Sequence, residues 1–196
     1  MTRAIWSEMI LLSIKDPAEA ARRLIAWNLS REVLWTGLAL AAVVNTLLFS
    51  LSGLLMPGPA MVMPLFQSPF FYLAMVSIGL VLTVVALYWA GRILGGRGAL
   101  TDVLVVVLWL QVLRVLVQVV TLVLSLTIPM LAMLLVLAAT VLGIYILLHF
   151  VDQAHRLNSL PRAGGVLVLS FVLMAVALSV LLALFGGMIS GDISHV

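Results

Sequence analysis

Apolar residues run along this chain in five long blocks. A lipid hydrocarbon core about 30 Å thick is crossed by about 20 apolar residues in helical conformation. Blocks that meet this length fall at about residues 33–55, 70–90, 103–126, 129–151 and 166–189. The third and fourth are divided only by Thr127-Ile128-Pro129. Proline suits the first turn of a helix, where its missing N–H has no intrahelical partner to lose. The pattern therefore predicts a tight helical hairpin at that point rather than one helix of twice the length. The expected fold is an all-α membrane protein, a five-helix transmembrane bundle with N-terminal amphipathic interfacial helices. Its expected parts are interfacial helices in 1–30, the five spans in 31–190 and a short exterior tail in 191–196.

The polar positions before the first block have their own order. Asp16 is a good N-cap, Pro17 fits the first helical position and Glu19 stands where a capping-box acid belongs. With 3.6 residues per turn, Ala18, Ala21, Leu24, Ile25 and Trp27 fall broadly on one side, and Glu19, Arg22 and Arg23 on the other. Such a helix either lies in the membrane interface or packs on the inner ends of the bundle. In the first case Arg22, Arg23 and Trp27 are candidate lipid-headgroup contacts. Residues 5–14, with Trp6, Met9, Ile10 and Leu12, predict a second, less amphipathic helix. Glu8 interrupts that apolar stretch and Lys15-Asp16-Pro17 comes after it, so a cleavable signal peptide is not expected.

Composition then narrows the function. Of the 196 residues 65% are hydrophobic and 9% are charged, with a mean hydropathy of +1.32. Ordinary soluble domains carry about 25% charged residues, so a soluble enzyme is excluded. Cysteine is absent, which removes disulfides, thiolate metal sites and cysteine nucleophiles. Ten Lys and Arg against seven Asp and Glu is no nucleic-acid-binding surplus. The distribution of cations is more informative. Arg3, Lys15, Arg22, Arg23 and Arg31 precede the first span, Arg92 and Arg97 come after the second, and Arg156 and Arg162 after the fourth. The proline-rich outer loop 56–69, the turn after the third span and the tail carry none. The positive-inside rule then predicts a cell inner membrane protein with a cytoplasmic N-terminus and an exterior or periplasmic C-terminus. The glycine-rich loop 91–98 lacks the Lys-Ser/Thr ending of a phosphate loop and reads as a flexible turn.

Polar residues inside the spans are few. Arg114 lies about 12 residues into the third span, about 18 Å from its inner face. An arginine at that depth costs about 2.5–3.5 kcal/mol on insertion scales, so it is expected to face the bundle interior, a water-filled cavity or a partner chain. Gln111, Gln118, Thr121 and Ser125 share its helical face. Asn45 in the first span and Thr140 in the fourth stand at matching depth, and no acid lies inside any span. This polar cluster has three readings: an internal network, a contact to another subunit, or a site for an anionic lipid or solute. His149, Asp152 and His155 cluster near the inner end of the fourth span, with spacing too loose and ligands too few for a metal site. No cofactor is implied. The spans offer no pair of acids and no metal-protease or serine-hydrolase motif, so catalysis is not expected.

Several short motifs are shared with a known family. They are Ile14-Lys15-Asp16-Pro17 with Ala20-Ala21-Arg22, Trp35, Gly95-Gly96-Arg97-Gly98, and the loop from His155-Arg156 to Arg162. On these the chain resembles the bacterial branch of the YIP family, the Ypt/Rab-interacting membrane proteins. The resemblance implies five spans with the N-terminus inside. The aspartate-rich region and Gly-Pro-Leu signature of eukaryotic members are absent, so Rab binding and family site residues are not implied. The expected role is a non-enzymatic scaffold or accessory subunit that binds another membrane protein or organises lipid. The alternative is a transporter-like protein that binds a small anionic solute or lipid at Arg114. Expected partners are membrane lipids and another membrane protein or complex, not nucleic acid; a homo-oligomer stays open.

Overall fold

The computed structural model of the chain describes residues 3–56 and 68–190, which form seven helices and no strand. These are α1 (Arg3–Lys15), α2 (Pro17–Ala26), α3 (Arg31–Leu55), α4 (Pro69–Ile93), α5 (Leu100–Thr127), α6 (Pro129–His155) and α7 (Leu160–Ser190). Helices α3 to α7 are each long and apolar enough to cross a membrane. Most of the proline-rich outer loop and the tail 191–196 lie outside the described residues.

The spans overrun their apolar blocks, by more at the arginine-rich end than at the other. Helix α6 continues to His155 and α7 begins at Leu160. Protein covers part of the added turns: Asp152, Ala154, His155 and Ala163 are buried, whereas Leu160, Pro161 and Arg162 are exposed. The hairpin between α5 and α6 is as tight as the sequence predicts, because Ile128 caps both helices and Pro129 opens the second.

The five spans close a ring. Helix α5 packs on α3 and α6, α3 on α4, α4 on α7, and α7 on α6. The core is not spread along this ring. Leu34, Leu38, Ala41 and Ala42 of α3 are buried, as are Val84, Leu87 and Ala90 late in α4. Val103 to Val107 and Trp109 early in α5, Phe150 and Val151 late in α6, and Ala163 and Val166 early in α7 complete it. All of these sit toward the arginine-rich end. In the other half, Ala132 is buried, but the long side chains of α5 and α6 are mostly exposed. Burial of apolar side chains gives no hydrophobic drive inside lipid, so the knot at one end rests on close packing.

Helix α2 is part of that knot. Asp16 Oδ1 accepts from the Glu19 N–H at 3.0 Å, the N-cap that the sequence predicts, and Pro17 opens the helix. Its apolar face does not lie on lipid. Ala20, Ala21 and Leu24 are buried against α5 and α6, which is the packed alternative of the two readings. Helix α1 differs: Met9 and Ser13 are buried, whereas Ile5, Trp6, Leu11 and Ile14 remain exposed.

Candidate functional site

Trp109 fixes where α1 sits. Its indole N–H donates to Ser13 Oγ at 2.8 Å, and Ser13 Oγ in turn donates to the Met9 carbonyl at 2.8 Å. Trp6 stacks on the Trp109 ring at 5.4 Å between centroids, and Trp27 meets it edge-on at 6.2 Å. Trp109 lies about 14 Å along α5 from Leu100 at 1.5 Å per residue. Helix α1 is therefore held partway along the span, not at its end.

Beside α1 the exposed halves of α5 and α6 enclose a lateral groove of about 700 Å³. Leu113, Arg114, Val117, Gln118 and Thr121 form one wall, and Val136, Ala139, Thr140, Gly143 and Leu147 the other, with Ile10 and Ile14 of α1 completing the lining. Arg114 is exposed in this groove. Its guanidinium makes no hydrogen bond or ion pair with any described residue. The structure thus places the arginine on the outer flank of the α5–α6 pair, open to whatever lies alongside.

The polar residues expected around Arg114 divide. Thr140 faces the same groove, its hydroxyl donating back to the Val136 carbonyl at 2.7 Å. Asn45 does not join it. Its side-chain amide donates to the Ala41 carbonyl at 2.9 Å, and the residue is buried in the packed half of α3. Equal depth along their helices did not bring Asn45 into the groove that Arg114 lines. Gln118 and Thr121 line the groove, yet Gln118 Oε1 and Thr121 Oγ1 are buried without a hydrogen-bond partner, as is Gln111 Oε1. An unsatisfied polar atom inside a membrane costs free energy that a further partner recovers.

The candidate headgroup residues are engaged with protein. Arg22 Nε donates to Glu19 Oε2 at 3.0 Å, and its Nη1 reaches Gln153 Oε1 on α6 at 3.4 Å. Arg23 pairs with Glu19 at 3.1 Å and with Glu8 of α1 at 2.8 Å. These bonds, from Arg22 first and Arg23 second, hold the Glu19 carboxyl below the usual carboxylate range. Glu19 and then Glu8 raise the Arg23 guanidinium further. Trp27 is half-buried against Trp109.

The glycine-rich loop is packed, not slack. Gly95, at φ +85°, turns the end of α4, and the Gly96 N–H donates to the Gly91 carbonyl at 2.8 Å. A Cβ on Gly91 would clash with the His155 ring, and one on Gly98 would overlap the Ala154 carbonyl. The Arg97 N–H donates to the His155 carbonyl at 2.9 Å. The loop is thereby clamped on the end of α6, where Asp152 Oδ1 accepts from the Ser159 N–H at 2.8 Å and pins the turn into α7. His149 directs Nδ1 to the Tyr145 carbonyl at 2.9 Å, apart from this cluster. Among the described residues no three His, Asp or Glu converge as metal ligands.

A family model for the Yip1 domain matches residues 11–187. The chain belongs to the Yip1 domain family. The matched region takes in the end of α1, all of α2, the glycine clamp and the five spans. No curated protein and no solved structure matches the chain. Within this Yip1 domain the motifs that look scattered in sequence meet in space: Gly96 and Gly98 press on Ala154 and His155. Sequence reasoning missed the role of Trp109, which is hidden in an apolar block. Its only signal is that a tryptophan inside a span brings an N–H that needs an acceptor.

Proposed function

We propose that this Yip1 domain protein is a non-enzymatic scaffold or accessory subunit of the bacterial inner membrane that holds another membrane protein through the α5–α6 groove. The observation that carries this reading is Arg114, an exposed and unpaired guanidinium on the flank of a span. Arginine, lysine and acids in spans are rare and usually paired. The packed half of the bundle, with α2 wedged into it, supplies a rigid base; the sparsely packed half supplies surface for a neighbour. The placement of Lys and Arg at one end of the bundle supports a cytoplasmic N-terminus.

Crosslinking in native membranes from groove positions such as Val136, with purification in mild detergent afterwards, tests the reading. A defined protein neighbour is expected from the groove and not from Val168 on α7, which is exposed elsewhere. A lone monomer with no crosslinked protein would sink it. The unpaired cation also favours a second reading, capture of a small anionic solute. In that case Arg114→Leu abolishes anion binding while the folded yield is unchanged.

A further inference from the structure

The chemistry of the groove narrows what can occupy it. Arg114 stands about 21 Å from Leu100 and about 19 Å from Thr127 along α5, the middle of the span. In a hydrocarbon core about 30 Å thick, that level is about 15 Å from either headgroup layer. A phosphate at the headgroup layer lies beyond the arm of an arginine that turns sideways into a groove.

A second copy of this chain does not complete the site either. Its acids are Glu8, Asp16, Glu19, Glu32, Asp102, Asp152 and Asp192. Among them, Glu32, Asp102 and Asp152 lie in spans, each within three residues of the arginine-rich end. Glu8 and Glu19 are paired with Arg23, and Asp16 caps α2, so these acids are already engaged within their own chain.

Building on the scaffold reading, we propose that the groove between α5 and α6 receives a transmembrane helix of another protein that carries an Asp or Glu near mid-span, which pairs with Arg114. The groove dimensions suit a helix. Its lining runs from Leu110 to Thr121 on α5 and from Val136 to Leu147 on α6, about 16 Å or three helical turns. Ala139 and Gly143 face it one turn apart, and a Cβ on Gly143 meets nothing within 4 Å, so a backbone can approach that wall closely. The carboxylate takes the guanidinium donors. Gln118 Oε1 and Thr121 Oγ1, both buried and without a partner among the described residues, stand one and two turns further along the same face. Charge complementarity, not apolar contact, selects the occupant, because lipid tails compete equally well for leucine.

The full chain reconstituted in phosphatidylcholine vesicles tests this with synthetic probes. These are Leu/Ala transmembrane peptides with a photo-reactive leucine analogue and a central Asp, Asn or Leu. The Asp peptide is expected to label α5 and α6 about tenfold more than the Leu peptide, the size of an intramembrane polar contact between helices. Arg114→Leu should bring labelling down to the Leu-peptide level, and Arg114→Lys should retain part of it. Gly143→Leu, which fills open space, should block the Asp peptide while the variant keeps its melting temperature. This variant keeps the test decisive should Arg114→Leu fold poorly.

Equal labelling by Asp and Leu peptides overturns the proposal, as does labelling insensitive to Arg114→Leu. Labelling of the groove by photo-reactive phosphatidylglycerol that depends on Arg114 overturns it in favour of a lipid phosphate. Crosslinks between copies of the chain at the groove overturn it in favour of self-association. The scaffold reading fails separately: if the Asp peptide binds but no protein is crosslinked in native membranes, the groove chemistry stands and the scaffold role does not.

Discussion

Single glycines separate two kinds of space in this bundle. Gly91 has the His155 ring where its side chain would be, whereas Gly143 has none of its neighbours there. Gly91→Ala should destabilise the fold by about 1–3 kcal/mol through overpacking. Gly143→Ala should leave stability unchanged or raise it by about 0.5–1 kcal/mol, the ordinary gain for a helix interior. Thermal unfolding of the two variants in one detergent compares them directly. Ser13→Ala removes the acceptor of the buried Trp109 N–H and should cost about 1–3 kcal/mol. Its Trp109 fluorescence should also shift as α1 loosens. These distinctions were not legible in the sequence. Glycine spacing marks close approach but not whether the approach is inside one chain or toward another. Arg114 was legible as out of place; the side of α5 it would face was not, since Asn45, expected beside it, is buried outside the groove.

At the scale of elements, the N-terminal helices are joined by charge as much as by packing. Arg23 bridges Glu8 of α1 and Glu19 of α2, and Arg22 ties α2 to Gln153 of α6. The native carboxyl of Glu19 is shifted down, so its contribution is fully present above the ordinary glutamate range. It fades as the pH falls from that range through the lowered native value. Proteolysis between α1 and α2 should therefore be unchanged from neutral pH down to about pH 5, then rise below about pH 4. Glu19→Gln should show the acid behaviour at neutral pH. These side chains are half exposed, and salt should weaken the effect. The caps of α2 and the hairpin after α5 could be read from Asp16-Pro17 and Pro129, because capping is local. The ends of α6 and α7 could not, because the added turns are held by buried residues such as His155 and Ala163 that pack on other helices.

At the scale of the whole molecule, five spans predict that the two ends of the chain lie on opposite membrane faces. The absence of cysteine makes this simple to check. Ser159→Cys lies at the arginine-rich end and Ser68→Cys at the other. An impermeant maleimide should label Ser68→Cys in intact cells and Ser159→Cys only in inverted vesicles. Labelling of both from one side would break the five-span topology. Span number was legible because a bilayer imposes one length on every crossing. The lopsided core was not, because apolar blocks look alike whether they meet protein or lipid.

The lateral groove is built from α1, α5 and α6 alone, and its last lining residue is Leu147. A ribosome making this chain has finished both walls before it begins α7, and a single residue, Ile128, joins them. Synthesis proceeds from the N-terminus and early parts can fold first. On the proposed reading, a neighbour can thus be engaged during translation, while the chain still awaits its final crossing.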